Sequence, residues 1–211
     1  MLTVILSGAL TGLAALALTR RMRVIAATRS RWLTTHVHVV LACLAGAGAG
    51  ALAQTWAEAL AFAALALACS LLVVIDLAAL RLPDAIVLPM YPILGILLTV
   101  AAAVADDWTR LGRAAAAGVI LLIVYFVLAF AYPAGLGLGD VKLAGLLGLF
   151  LGWFGWQYVL LGTLSAFILS AIVAAVLLAI RRANRGTEFP FGPCMIISAA
   201  ISATGWPSLL G

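Results

Sequence analysis

Apolar residues run along this chain in blocks divided by short polar breaks. Blocks at about residues 2–19, 36–53, 58–80, 85–105, 112–132 and 155–180 each approach the roughly 20 residues that carry a helix across about 30 Å of hydrocarbon. Shorter blocks at about 140–152 and 189–208 complete the set. The breaks are RRMRVIAATRSR, QTWAE, RLPD, DDWTR, a glycine-rich stretch, GWFG and RRANRGTE, none long enough for a folded soluble domain. The pattern predicts an all-α fold, a polytopic membrane helix bundle of about eight transmembrane segments. Its natural division is a two-helix segment with a short basic loop over residues 1–57 and a membrane core over 58–211.

Composition sharpens this picture. The 211 residues are 66% hydrophobic and only 9% charged, with a mean hydropathy of +1.26, against roughly 45–50% apolar content in soluble domains. The net charge of +5 does not point to nucleic acid, because the cations are few and interleaved with spans, without a basic-aromatic surface stretch. Membrane lipids are the partners it implies. Cys43, Cys69 and Cys194 are isolated in apolar runs with no C-x-x-C spacing and read as small buried hydrophobes. Residues 2–19 lack the preceding positive charge of a signal peptide and are followed by five arginines, so an uncleaved anchor is expected.

The cations also orient the bundle, since cytoplasmic loops carry an excess of Lys and Arg. With the N-terminus outside, Arg20, Arg21, Arg23, Arg29, Arg31, Arg81, Lys142, Arg181, Arg182 and Arg185 fall on the cytoplasmic side and only Arg110 and Arg113 outside. This holds if 140–152 and 155–180 are separate passes. The ends of the third and fifth segments, with RLPD and GLGLGD, then share the cytoplasmic face and one membrane depth.

Seven acidic residues remain to be placed. Asp106 and Asp107 belong to a solvated outer loop, and Glu58 reads as a helix N-terminal acid. Asp76, in LLVVIDLAAL, is apolar-flanked within a span. An ionisable group there costs about 2.5–3.5 kcal/mol and is a functional candidate by default, although pairing with Arg81 would serve as well. Asp84, after Pro83, stands where a helix N-cap belongs. Asp140 follows Gly135, Gly137 and Gly139 and also suits a helix start, yet capping alone does not call for so many glycines. Lys142 reads as an interface lysine or a counter-charge. Glu188 precedes FPFGP, where Pro190, Gly192 and Pro193 force a non-helical entry into the last segment; such backbone at membrane depth borders protein or a cavity. His36 and His38, two residues apart, face different ways on a helix and read as interfacial, not as a metal pair.

Two aspartates on separate spans at similar depth can share one proton, because like charges at close range do not both ionise. One then activates a water while the other protonates a carbonyl, which is peptide hydrolysis without metal or cofactor.

At this point the sequence resembles the type 4 prepilin peptidases, membrane-embedded aspartic peptidases with a G-x-G-D motif. The resemblance is carried by IDLAALRLPDAIVLP at 75–89, GLGLGDVKLAGLLGLFLGW from Gly135 to Trp153, and EFPFGPCM at 188–195, and it extends over roughly residues 60–205. It implies that Asp76 and Asp140 are catalytic, with Gly137, Gly139, Asp84, Lys142, Glu188, Pro190, Gly192 and Pro193 in supporting or substrate-binding positions, and no metal or cofactor. It further implies leader removal from prepilins or pseudopilins with a hydrophobic N-terminal helix, at the cytoplasmic face of a bacterial inner membrane. Longer members carry a cytoplasmic region with paired C-x-x-C motifs linked to N-methylation. Here RRMRVIAATRSRWLTTHVH holds no cysteine, so a peptidase-only form is expected. The alternative is a transporter or channel using the acids as a proton or cation site. A presenilin-like peptidase is disfavoured, since Ile75 precedes Asp76 and no PAL occurs; a preflagellin peptidase and a pilus-assembly scaffold are further rivals.

Overall fold

A computed structural model describes residues 1–26, 35–132, 136–180 and 190–205. Eight helices and no strand occur among these residues: α1 Leu2–Ala26, α2 Val37–Leu52, α3 Trp56–Ala79, α4 Asp84–Ala105, α5 Trp108–Ala131, α6 Leu138–Phe154, α7 Trp156–Ala179 and α8 Gly192–Ala203. The fold is the all-helical bundle that the apolar blocks predict. By length and composition, α1, α3, α4, α5 and α7 suffice to cross a membrane. At 16, 17 and 12 residues, α2, α6 and α8 fall short of about 30 Å at 1.5 Å per residue.

Local chemistry sets the helix limits. Thr55 caps α3, its hydroxyl accepting the Glu58 N–H at 3.2 Å, while Glu58 Oε2 accepts the Gln54 N–H at 2.6 Å. The same helix stops three residues beyond Asp76, where Leu80 turns left-handed at φ 51° and donates its N–H to the Asp76 carbonyl at 2.8 Å. Arg81 and Leu82 then lead to Pro83, which cannot donate to a continuing helix. Between α6 and α7 only Gly155 intervenes, at φ 154°, a left-handed backbone that a side chain resists.

Packing is built on small residues. The helix pair α1/α2 closes through Gly46, where a Cβ would strike Thr11, and Gly50, where one would come within 2.7 Å of the Thr3 carbonyl. Gly48, in the same run, meets nothing within 4 Å and takes no part in this contact. On the other side, Gly148 and Gly152 of α6 let its backbone close on Ala114, Ala117 and Gly118 of α5, the small-residue route to helix association in lipid. Large apolar residues such as Phe130, Ile120, Leu160 and Ile96 are exposed all round the outside, as a lipid-facing surface requires.

His38 departs from its interfacial reading. It is fully buried, with Nε2 2.8 Å from the Thr19 hydroxyl across the α1/α2 contact.

Candidate active site

The C-terminal end of α3 and the N-termini of α4, α6 and α8 meet at one end of the bundle. Asp76, three residues from the end of α3, is 5% exposed. Its Oδ2 accepts the Gly192 N–H at 3.1 Å. Gly192 opens α8, so the carboxylate faces the positive end of that helix, where an anion is favoured. A Cβ at residue 192 would stand 2.8 Å from Asp76 Oδ2, so this close approach requires glycine.

Asp140 is half-buried at the third position of α6, and its Oδ2 accepts the Gly137 N–H at 3.1 Å. The acid is therefore not the first residue of its helix: Gly137 holds that boundary and Asp140 reaches back to it, the carboxylate half of a capping box. Of the two described motif glycines, Gly139 has the tighter surroundings, since a Cβ there would lie 3.0 Å from Leu82 Cβ. Gly137 has an ordinary φ of −82° and nothing nearer than 3.5 Å. Gly135 and Glu188 lie outside the described residues.

Leu82 joins the two acids. It is buried, packs beside Gly139, and sits 3.4 Å from where a Gly192 Cβ would stand. The turn RLPD thus lies between the segments that bear Asp140 and hold Asp76. Asp140 is close enough to act electrostatically on both Asp76 and Tyr125. Tyr125, buried on α5, stacks on Phe167 of α7 at 5.6 Å, and Phe167 meets Phe191 at 5.5 Å. This aromatic stack fixes the residue just before Gly192. Composition offered no hint of it beyond Phe191 itself, because its partners Tyr125 and Phe167 come from two separate spans.

The supporting residues depart from their sequence readings. Asp84 is not an N-cap: Pro83 occupies that position and the Asp84 carboxylate reaches Lys142 Nζ at 2.7 Å instead. The pair is exposed, with side chains 56% and 33% accessible, and spans the heads of α4 and α6. Lys142 therefore pairs with Asp84. Arg81 turns away from Asp76 and donates to the Ala26 carbonyl at 2.8 Å, tying α1 to the same end. Pro190 and Phe191 precede α8, but Phe191 already has helical angles (φ −84°, ψ −31°) and Gly192 and Pro193 are its first two residues, so the entry is not forced out of helix there; a missing N–H in the first turn costs nothing. Among the described residues, no group of three or more His, Cys, Asp and Glu is placed to hold a metal.

The opposite end carries a second polar cluster that the sequence did not reveal. Glu58, read as a simple helix-start acid, is 1% exposed, and its Oε1 accepts both Arg110 Nη1 and Trp153 Nε1 at 3.0 Å. Arg113 donates to the carbonyls of Gly152 and Trp153 at 2.8 and 2.9 Å, closing the C-terminus of α6. Asp107, assigned to a solvated loop, caps α5 through the Arg110 N–H at 3.3 Å. These residues are structural.

Fold and site together define a multi-pass membrane protein with two carboxylates drawn together at helix N-termini at one end. Residues 60–180 match the profile of the Type IV leader peptidase family, and the chain belongs to that family. Similar curated proteins are each called prepilin leader peptidase/N-methyltransferase. That of Pseudomonas putida is 36% identical over 134 residues, 61% of this chain and 42% of the relative. That of Stutzerimonas stutzeri is 33% identical over 137 residues, 64% and 44% of the two chains. In Pseudomonas aeruginosa a 76-residue stretch is 40% identical, covering 36% and 23%. The chain thus spans less than half the length of these relatives. No solved structure matches it significantly.

Proposed function

We propose that the chain is an aspartic endopeptidase that removes leader peptides from type IV prepilins or pseudopilins, with Asp76 and Asp140 as its catalytic pair. The observation that carries this reading is the placement of both acids at one end of the bundle, on segments that pack on Leu82, each with one oxygen fixed by a backbone N–H. Each carboxylate keeps its other oxygen for chemistry. With one proton between them, the ionised partner takes a proton from water as the water oxygen attacks the scissile carbonyl carbon. The protonated partner gives its proton to the carbonyl oxygen. Collapse of the resulting diol breaks the C–N bond, and the leaving amine takes up a proton from the pair.

The site faces the cytoplasm of a bacterial inner membrane in this reading. Arg20, Arg21, Arg23, Arg81 and Lys142 stand at the end of the acids, while Arg110 and Arg113 stand at the other, the sense that the positive-inside rule favours. A substrate whose cleavable bond lies just cytoplasmic of an apolar helix would present that bond at this depth. The pairing of Lys142 with Asp84 leaves the two central acids without a salt-bridge partner among the described residues, as a shared-proton pair needs.

Co-expression with a tagged prepilin from the same genome tests the proposal. Wild type removes the leader, and Asp76→Asn and Asp140→Asn each stop removal at equal membrane abundance. Normal cleavage by either variant overturns the pair. An intact prepilin with wild type overturns the peptidase, and proton or cation flux in vesicles would then favour the transporter.

A further inference from the structure

An apolar groove runs down the bundle away from the acids. Its floor is formed by Phe62, Leu65 and Cys69 of α3 with Phe150 of α6, and it encloses about 190 Å³. Leu44, Ala45 and Gly48 of α2 form one rim, and Ile196 and Ala200 of α8 the other. That volume is below the roughly 300–1,000 Å³ of a small-molecule pocket. The rims open outward: Leu44 is 67% exposed, and Ala45 and Ala200 are exposed too.

The groove and the site share two helix faces, although no residue lines both. Cys69 and Leu65 precede Asp76 by seven and eleven residues, close to whole numbers of 3.6-residue turns, so all three share one face of α3. Ile196 and Ala199 follow Gly192 by four and seven residues, on the face of α8 whose first N–H holds Asp76. The faces of α3 and α8 that meet at Asp76 therefore also line the groove, whose nearest α3 residue, Cys69, is about 10 Å along the helix from the acid at 1.5 Å per residue. The lining includes no charged side chain, and its hydroxyl, on Thr204, is spent on the Ile201 carbonyl at 2.6 Å. Small residues along both rims permit close backbone approach by another helix.

We infer that this groove seats the apolar transmembrane helix of the substrate, leaving the bond before that helix at Asp76 and Asp140. The inference rests on the proposed peptidase reading and adds where the substrate binds. Remote binding of this kind positions the reacting bond without contributing to the chemistry.

Gly48 supplies the test, because a side chain there has open space and meets no protein atom within 4 Å. Gly95 on α4, equally open, is the control. Cleavage is measured on the full-length prepilin and on a water-soluble peptide that spans the leader junction without the apolar helix. Gly48→Phe is expected to slow the full-length substrate at least about tenfold while leaving the peptide unchanged, and Gly95→Phe to change neither. Normal processing of full-length prepilin by Gly48→Phe, or equal slowing of both substrates, overturns the groove. Failure of wild type on the prepilin overturns the peptidase reading, and the groove with it. A photo-crosslinker at residue 48 in the Asp76→Asn chain gives the second measurement. A chain–prepilin adduct is expected, whereas an adduct of two chains, or to lipid alone, assigns the groove to those occupants and overturns the inference.

Discussion

The Gly192 N–H and Asp76 Oδ2 lie 3.1 Å apart although 116 residues separate them in the chain. This contact sets the orientation of one carboxylate from the N-terminus of another helix, and it exists because residue 192 has no side chain. Gly192→Ala would place a Cβ 2.8 Å from that oxygen. Displacing a reacting group by about 1 Å costs on the order of 100-fold in rate. The expected order of damage to leader cleavage is Gly192→Ala, then Gly139→Ala, whose Cβ meets Leu82 Cβ at 3.0 Å, then Gly137→Ala, with nothing nearer than 3.5 Å. Rates measured at matched membrane abundance check the ranking, and a Gly137→Ala defect larger than that of Gly192→Ala contradicts it.

The Asp84–Lys142 pair bridges α4 and α6 at 2.7 Å but is largely exposed. Such pairs contribute roughly 0–1 kcal/mol. Asp84→Ala and Lys142→Ala are expected to shift thermal unfolding in detergent only slightly. If the pair's work is to align the two helix heads, the exchange Asp84→Lys with Lys142→Asp recovers cleavage lost in either charge reversal. Continued loss in the exchanged chain would mean that one of the two residues meets substrate directly.

The order and approximate extent of the helices were legible because each span carries its own apolar block and its own breaker: Pro83 after α3, Gly155 after α6, Pro193 at the start of α8. The two acids were legible for a related reason, since an Asp with apolar neighbours on both sides is conspicuous without knowing what surrounds it. Partners were not. His38 looks interfacial at the head of an apolar block, and only the packing of α1 on α2 brings Thr19 to its ring. Asp84 looks like a cap because a carboxylate after proline usually is one, and the lysine that captures it comes 58 residues later. A side chain's helix and depth follow from local sequence. Its partner depends on the rotation of each helix about its axis, which many small contacts fix together.

Tyr91 illustrates such a contact near the site. Its hydroxyl donates to the Lys142 carbonyl at 2.6 Å, in a hollow left by Gly145. Tyr91→Phe removes one hydrogen bond and is expected to cost about 1 kcal/mol. Gly145→Ala costs more, since its Cβ collides with that hydroxyl and comes within 3.1 Å of Leu122. In the double variant part of the Gly145→Ala penalty disappears, because the colliding oxygen is gone. Unfolding midpoints of the four chains in a mutant cycle measure this coupling, and strict additivity would show that Leu122 alone sets the penalty.

Glu58 tests the far end independently of chemistry. Its buried carboxylate accepts from Arg110 and Trp153 and thereby ties the starts of α3 and α5 to the end of α6. Truncation to Ala strands the indole N–H and leaves Arg110, itself only 19% exposed, facing a cavity. Breaking a buried pair in this way typically costs about 3–5 kcal/mol. Glu58→Gln keeps an acceptor for the indole and Arg110 and gives up the charge and the acceptor for the Gln54 N–H at the exposed helix start, so it should cost less than truncation. Because these contacts lie at the end opposite Asp76, the part of a Glu58→Gln preparation that remains folded should cleave prepilin at the wild-type rate. Thermal midpoints in detergent, read beside cleavage per folded molecule, separate the two effects. A variant that folds normally but cleaves slowly would show that the far end takes part in catalysis, contrary to the structural role its geometry assigns.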